Sequence, residues 1–160
     1  MKNVFINIGS NLGNRRLNMS KAMSAVIREF GDIEMSHAVE TEPWGFESPN
    51  RFLNVGIAFR SELEPEEILD RLQGIERSIS ADSHRKTDGG YADRIIDIDI
   101  VAIDETELST PRLTLPHPHL AERRFFLEPM AEIAGMWRHP ATGKTPREML
   151  EELHEKEGEI

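Results

Sequence analysis

The stretch Arg94-Ile95-Ile96-Asp97-Ile98-Asp99-Ile100-Val101 constrains the fold more than any other segment, because from Ile96 onward apolar and acidic residues alternate with a period of two. Successive side chains of a strand point to opposite sides, so Ile96, Ile98 and Ile100 share one face while Asp97 and Asp99 share the other. Such a strand belongs in a sheet with one dry and one wet face, the common condition of antiparallel sheets. By the rise of a strand the two carboxylates sit about 6.5–7 Å apart. They repel unless something positive lies between them. The natural candidates are hard divalent cations, which take oxygen ligands and leave positions open for phosphates. Taken alone, an Asp-x-Asp pair suits a solvated sheet face better than a metal site; the surrounding residues tip the balance.

The chain has 160 residues and 38% hydrophobic content, enough for one folded domain with its own core. It contains no cysteine, which removes disulfides, thiolate metal sites and cysteine nucleophiles. The first residues, Met1-Lys2-Asn3-Val4-Phe5-Ile6-Asn7-Ile8-Gly9, include no long apolar run, so neither a signal peptide nor a membrane span is expected and the cytoplasm is the expected location. A net charge of −10, from 29 acidic and 19 basic residues, argues against nucleic acid as a partner, because phosphate-backbone binding needs a basic face. Small phosphorylated ligands stay open. Arg77, Arg85, Lys86, Arg94, Arg112, Arg123 and Arg124 gather around and after the acidic strand, whereas Glu62–Glu67 and the tail from Glu148 read as solvated helix faces.

Val4–Ile8 reads as a strand, ended by the turn Gly9-Ser10-Asn11-Leu12-Gly13-Asn14. From Arg16 to Phe30, Leu17, Met23, Val26, Ile27 and Phe30 recur at helical spacing, with Gly31 as the stop. Ile33–Thr41 reads as extended, 42–49 as a loop broken by two prolines and a glycine, and Phe52–Phe59 as a second clear strand. Pro65 opens a helix whose apolar face is Ile68, Leu69, Leu72, Ile75 and Ile79. Ser80–Tyr91 is polar, without period, and reads as a mobile loop. Leu113–His119 is extended and stiffened by proline, and Arg123–Ile133 is helical in part. Thr145-Pro146-Arg147-Glu148 has the form of a capping box, so an acidic C-terminal helix starts at about 145 and runs to about His154. The order strand, helix, two strands, helix, strand predicts an α+β fold, a ferredoxin-like α/β/α sandwich with a mostly antiparallel sheet.

Several features suit a site. The turn Gly9–Gly13 follows a strand and precedes a helix, where amides can receive anions, but it lacks the pattern of a P-loop or a dinucleotide-binding turn and reads better as a plain turn. Thr41, Glu42, Pro43, Trp44, Gly45 and Phe46, with Phe52 and Asn54, offer ring faces and a side-chain amide that a flat heteroaromatic ligand would use; capping of the core is the commoner fate of such aromatics. Gln73 and Glu76 lie three apart on the second helix and could reach a site beside the sheet or face solvent. His84, Arg85, Lys86 and Arg94 could clamp a polyphosphate, since arginine donates two parallel hydrogen bonds to phosphate; ordinary surface charge is the alternative. His117 and His119 raise zinc, yet no third-ligand spacing accompanies them, and a hydrogen bond from His117 to a nucleotide phosphate or ribose is preferred.

Together these segments resemble the 6-hydroxymethyl-7,8-dihydropterin pyrophosphokinase family of folate biosynthesis. The likeness runs through Gly9-Ser10-Asn11-Leu12-Gly13, Glu40-Thr41-Glu42-Pro43-Trp44-Gly45, Phe52-Leu53-Asn54 and Leu72-Gln73-Gly74-Ile75-Glu76. It continues through Asp93–Ile100, Leu115-Pro116-His117-Pro118 and Glu122-Arg123-Arg124-Phe125, nearly the whole chain except its acidic tail. The resemblance implies a ferredoxin-like sandwich that moves the β,γ-pyrophosphoryl group of ATP to the pterin hydroxymethyl and releases AMP. It implies that Asp97 and Asp99 hold two Mg²⁺ ions, with Arg94 and Arg85 assisting. The pterin would lie among Pro43, Trp44, Phe52, Phe125 and Tyr91, with Thr41 and Asn54 reading its polar edge. Gln73, Glu76, Lys86, Arg112, Thr114, His117 and Arg123 would meet the nucleotide.

Departures from the family pattern fall in one loop. Where the family usually shows Gly-Arg-x-Arg and then Arg-Trp-Gly-Pro-Arg, this chain has Ser80-Ala81-Asp82-Ser83-His84-Arg85-Lys86 and Gly89-Gly90-Tyr91-Ala92-Asp93-Arg94. Arg94 aligns, Tyr91 can stand for the tryptophan, and Arg85 either replaces the first loop arginine or that role is missing. A single domain over 1–160, acting as a monomer without nucleic-acid or membrane partners and with no fused neighbour, is expected. The alternatives are a non-catalytic ferredoxin-like small-molecule-binding module, an RNA-binding module, which the acidic pair and net charge oppose, and a zinc hydrolase built on His117 and His119.

Overall fold

The computed structural model describes residues 1–46, 48–80 and 93–158. In chain order its elements are β1 (Lys2–Ser10), α1 (Arg15–Phe30), β2 (Ile33–Met35), β3 (Val39–Thr41), β4 (Phe52–Ser61), α2 (Pro65–Ile79), β5 (Asp97–Ile103), β6 (Leu108–Ser109), β7 (Thr114–Leu115), α3 (Arg124–Ile133) and α4 (Pro146–Gly158). β1 is the middle of the main sheet, flanked by β4 and β5, and both β2 and β3 pair with the far side of β4. Every pairing is antiparallel. This connectivity and strand order are those of a ferredoxin-like sandwich, as expected from the sequence.

Two cores cover the two sheet faces. Val4, Ile6 and Ile8 of β1, Val55 and Ile57 of β4, and Ile98 and Ile100 of β5 pack against α1 and α2. On the other face Val101 and Ala102 meet Phe126, Leu127 and Met130 of α3 and Met149 of α4. The switch between faces has a local cause. The register of β1 on β5 slips between Phe5 and Ile6, so Val101 is an extra residue, and the core-facing series that begins Ile96, Ile98, Ile100 resumes at Ile103. A bulge of this kind re-aims the residues on either side of it.

The helix signals behave as their chemistry dictates. Asn14 Oδ1 accepts the Leu17 N–H at 3.1 Å to cap α1, and Gly31, at φ 90°, ends it. Thr145 and Glu148 form the capping box: the Thr145 N–H donates to Glu148 Oε1 at 3.0 Å and the Glu148 N–H to Thr145 Oγ1 at 3.2 Å. α4 continues past His154 to Gly158.

Three expectations are corrected. The acidic strand begins at Asp97, not Arg94, because residues 93–94 are drawn to the Asn11 side chain. Ile33–Thr41 is two short strands, since Ser36 turns inward and its Oγ takes the Gly56 N–H at 2.9 Å. On α1 the buried stripe is Met19, Ala22 and Val26, while Leu17 and Ile27 are about half exposed. Those three lie on one face at helical spacing, from which Leu17 and Ile27 are rotated away.

Among the described residues, no helix is long and apolar enough to cross a membrane.

Candidate active site

The uncovered end of the second sheet face is built by register. Asn54 of β4 pairs with Gly9 of β1, and Gly9 with Asp97 of β5, so these three stand in one row across the sheet. Gly56, Asn7 and Asp99 form the next row. Glycine at the centre of the first row leaves room for its neighbours: a Cβ on Gly9 would lie 3.0 Å from Asn54 Oδ1 and 3.4 Å from the Phe52 ring, close enough to push the Asn54 amide aside. In the second row, a Cβ on Gly56 would stand 2.5 Å from Pro129, so this glycine lets α3 press directly onto the sheet and close one end of the cleft.

The cleft above these rows has a volume of about 380 Å³, with Trp44, Phe46, Phe52 and Phe125 as its aromatic walls. Asn54 Nδ2 donates to Thr41 Oγ1 at 2.9 Å, leaving Asn54 Oδ1 as an acceptor and the Thr41 hydroxyl proton as a donor. That complementary pair suits the edge of a flat, nitrogen-rich ring. Pro43 does not line the cleft, although its neighbours Glu42 and Trp44 do; its fixed φ shapes the loop that carries them.

A second cleft, of about 350 Å³, opens on the other side of the acidic pair and is lined by Gln73 and Glu76 of α2 and by Arg112 and Thr114. Asp97, Asp99, His117 and Pro118 belong to both clefts. Arg112 Nη2 lies 2.5 Å from Asp70 Oδ1 and 3.3 Å from Gln73 Oε1, which aims the guanidinium along α2. Glu76 Oε2 accepts the Ile98 N–H at 2.6 Å, satisfying the outer edge of β5 between the two aspartates.

Electrostatics set the character of the shared wall. Burial, then the Asp97 charge beside it, pushes the Asp99 carboxyl well above the usual carboxylate range, with Arg123 and Arg94 opposing. Arg94 Nη1 lies 3.6 Å from Asp97 Oδ1. His117 moves the other way: burial first, then Arg123, lowers it to about 3, so its ring is neutral near pH 7. The His119 N–H donates to His117 Nδ1 at 3.1 Å, which puts the ring proton on Nε2 as a donor. The buried Arg123 lies with its guanidinium carbon 4.3 Å from the Trp44 ring centroid and 5.4 Å from that of Phe125. His119 Nδ1 is 3.1 Å from Glu122 Oε2, and His117 and His119 share no further His, Asp or Glu in a group that could hold a metal among the described residues.

Most residues singled out from the sequence therefore converge on one place: Asp97, Asp99, Arg94, Thr41, Trp44, Phe52, Asn54, Phe125, His117 and Arg123 around the first cleft, and Gln73, Glu76, Arg112 and Thr114 around the second. Arg85, Lys86 and Tyr91 lie outside the described residues. Sequence reasoning missed Asn7, a buried polar side chain between Ile6 and Ile8 whose Nδ2 donates to the Phe125 carbonyl at 2.7 Å. Its one signal was an amide inside an otherwise apolar strand.

Residues 5–135 match the family model described as 7,8-dihydro-6-hydroxymethylpterin-pyrophosphokinase. A 2-amino-4-hydroxy-6-hydroxymethyldihydropteridine pyrophosphokinase of Porphyromonas gingivalis is 43% identical over 140 residues, covering 86% of this chain and 93% of that one. The protein of the same name from Aquifex aeolicus is 34% identical over 153 residues, covering 95% and 92%. Among solved structures, an HPPK-DHPS in complex with substrates superposes with a TM-score of 0.75 at 14% identity, and a Plasmodium falciparum HPPK-DHPS with 0.78 at 13%. Both likenesses cover 99% of this chain but 44% of those longer chains, and they bear on the fold.

Proposed function

Because the chain belongs to the 7,8-dihydro-6-hydroxymethylpterin-pyrophosphokinase family, we propose that its two clefts hold the pterin and ATP on either side of Asp97 and Asp99. The enzyme transfers the pyrophosphoryl group of ATP to 6-hydroxymethyl-7,8-dihydropterin, a step of folate biosynthesis. The observation that carries the assignment of the clefts is their shared wall: the same two carboxylates and His117 border both.

The aromatic cleft takes the pterin. Phe52 and Phe125 offer faces to its ring, while Asn54 Oδ1 accepts from, and the Thr41 hydroxyl donates to, its polar edge. The polar cleft takes the nucleotide, with Gln73, Arg112 and Thr114 along it and the His117 Nε2–H donating to a phosphate oxygen. The pterin hydroxymethyl oxygen attacks the β-phosphorus and gives up its proton to water, the bond from that phosphorus to the α,β-bridging oxygen breaks, and AMP leaves. Asp97 orients the attacking hydroxyl, and Arg94 and Arg123 offset charge that moves toward the leaving oxygen. Such a transfer depends on positioning and electrostatics more than on covalent help.

The donor set fits Mg²⁺. Two same-face carboxylates, with Asp99 held up partly by its neighbour's charge, gain from a hard cation, and so few protein oxygens leave coordination positions for phosphate and water. Bound there, two Mg²⁺ ions would supply neutralisation of the triphosphate charge. We read the protein as a cytoplasmic monomer of one domain, with no nucleic-acid partner.

The test is relaxation by Mn²⁺ substituted for Mg²⁺, in the presence of a non-hydrolysable ATP analogue and the pterin. Amide signals of Asn7, Gly9 and Ile98 broaden while those of α1 do not; broadening centred on His119 and Glu122 would overturn the assignment.

A further inference from the structure

The approach to β5 is tied down by a cluster of side chains that touches neither cleft. The Asn11 side chain, 3% exposed, lies at its centre. Its Oδ1 accepts the Arg94 N–H at 2.6 Å, and its own backbone N–H donates to the Arg94 carbonyl at 3.0 Å. Its Nδ2 donates to Asp93 Oδ1 at 2.7 Å and to the Asn50 carbonyl at 3.1 Å. The other oxygen of Asp93 accepts from Asn50 Nδ2 at 3.3 Å. One carboxylate is thus shared between two amides that come from the β1–α1 turn and from the loop before β4.

We propose that Asp93, through Asn11 and Asn50, is a positioning residue that holds Arg94 in register with Asp97, so that the guanidinium stays over the shared wall of the two clefts. The physical reason lies in the chain path. Arg94 is three residues before β5 begins, so no ladder hydrogen bond fixes its backbone. An arginine side chain has several free torsions, and its head can be kept 3.6 Å from Asp97 Oδ1 only if its Cα is held. The paired bonds between Asn11 and Arg94 do this, and they work only while the Asn11 amide is fixed in one orientation. Asp93 supplies that orientation: a carboxylate only accepts, so it selects the Nδ2 side of Asn11 and leaves Oδ1 for the Arg94 N–H. Asn50 bonds the remaining oxygen, which fixes the carboxylate from its other side.

This inference rests on the assignment of Arg94 to the transfer site. Five proteins test it: the natural chain, Asp93→Ala, Arg94→Ala, the double variant, and Asp93→Asn as the conservative replacement. Two readouts are taken, AMP production under saturating ATP, Mg²⁺ and pterin, and hydrogen exchange of the Arg94 amide. Asp93→Ala is expected to lower kcat about 10-fold or more with KM for the pterin within about twofold, and to speed Arg94 exchange by a similar factor. The double variant is expected to be no slower than Arg94→Ala alone, because both changes remove one interaction. Asp93→Asn, which keeps one acceptor oxygen, recovers part of the loss. Losses that multiply in the double variant, wild-type kcat in Asp93→Ala, or unchanged Arg94 exchange would each overturn the proposal. Failure of the natural chain itself to form AMP would overturn the assigned activity instead, and Arg94 exchange in Asp93→Ala would still decide whether the clasp exists.

Discussion

The two faces of β5 differ in what surrounds the same seven residues. On one, Ile98 and Ile100 are 6% and 4% exposed and close against the two helices of the first core. On the other, Asp97 and Asp99 stand in a cleft, with like charges adjacent and, among the described residues, no helix laid over them. α3 covers that second face only as far as Gly56 and the bulge at Val101, and the cleft begins where α3 ends. A single alternating strand thus contributes stability on one side and unfavourable electrostatics on the other.

Substitutions on neighbouring residues separate the two faces. Asp99→Ala is expected to lower turnover by about 10³-fold or more while the chain stays folded, checked by steady-state rates and circular dichroism. Ile98→Ala does the reverse: about 3 kcal/mol of stability is lost in urea titrations, through a cavity in the first core, with residual turnover below the midpoint. At the border of the cleft, Gly56→Ala drives a methyl into Pro129 and is expected to destabilise by about 2 kcal/mol. Asp99→Asn removes a buried carboxylate and, with it, the repulsion from Asp97, so the ligand-free variant should melt about 3 °C higher than the natural chain near pH 7 while losing turnover. An equal or lower melting temperature would show that the Asp99 carboxylate does not destabilise the fold.

The smallest expected effect concerns acid. His117 has its folded value lowered to about 3, so the folded chain binds fewer protons than the unfolded one as pH falls below the unfolded value of about 6.5. Its contribution to stability is complete above that value and is lost progressively toward pH 3. His117→Gln, which cannot titrate, should therefore show a shallower loss of stability between about pH 6.5 and 4 in thermal melts.

Much of this was legible in the sequence where side-chain chemistry alone determines the outcome. Alternation in 96–100 located both the core face and the acidic face, Gly31 stopped α1, and Thr145 with Glu148 opened α4. The acidic pair, His117, Arg123 and the aromatic loop converge as expected. What stayed hidden depends on contacts between segments far apart in the chain. The inward turn of Ser36 answers Gly56, twenty residues away. Asn7 is explained only by the Phe125 carbonyl, and the start of β5 only by Asn11 reaching across 83 positions to Arg94.

Product analysis after mixing the protein with ATP, Mg²⁺ and 6-hydroxymethyl-7,8-dihydropterin, run side by side with Asp97→Ala, tests the shared wall most directly. The natural chain is expected to yield AMP one-for-one with pterin diphosphate, and the variant essentially none. ADP from the natural chain, or undiminished AMP from Asp97→Ala, would contradict transfer across the acidic pair.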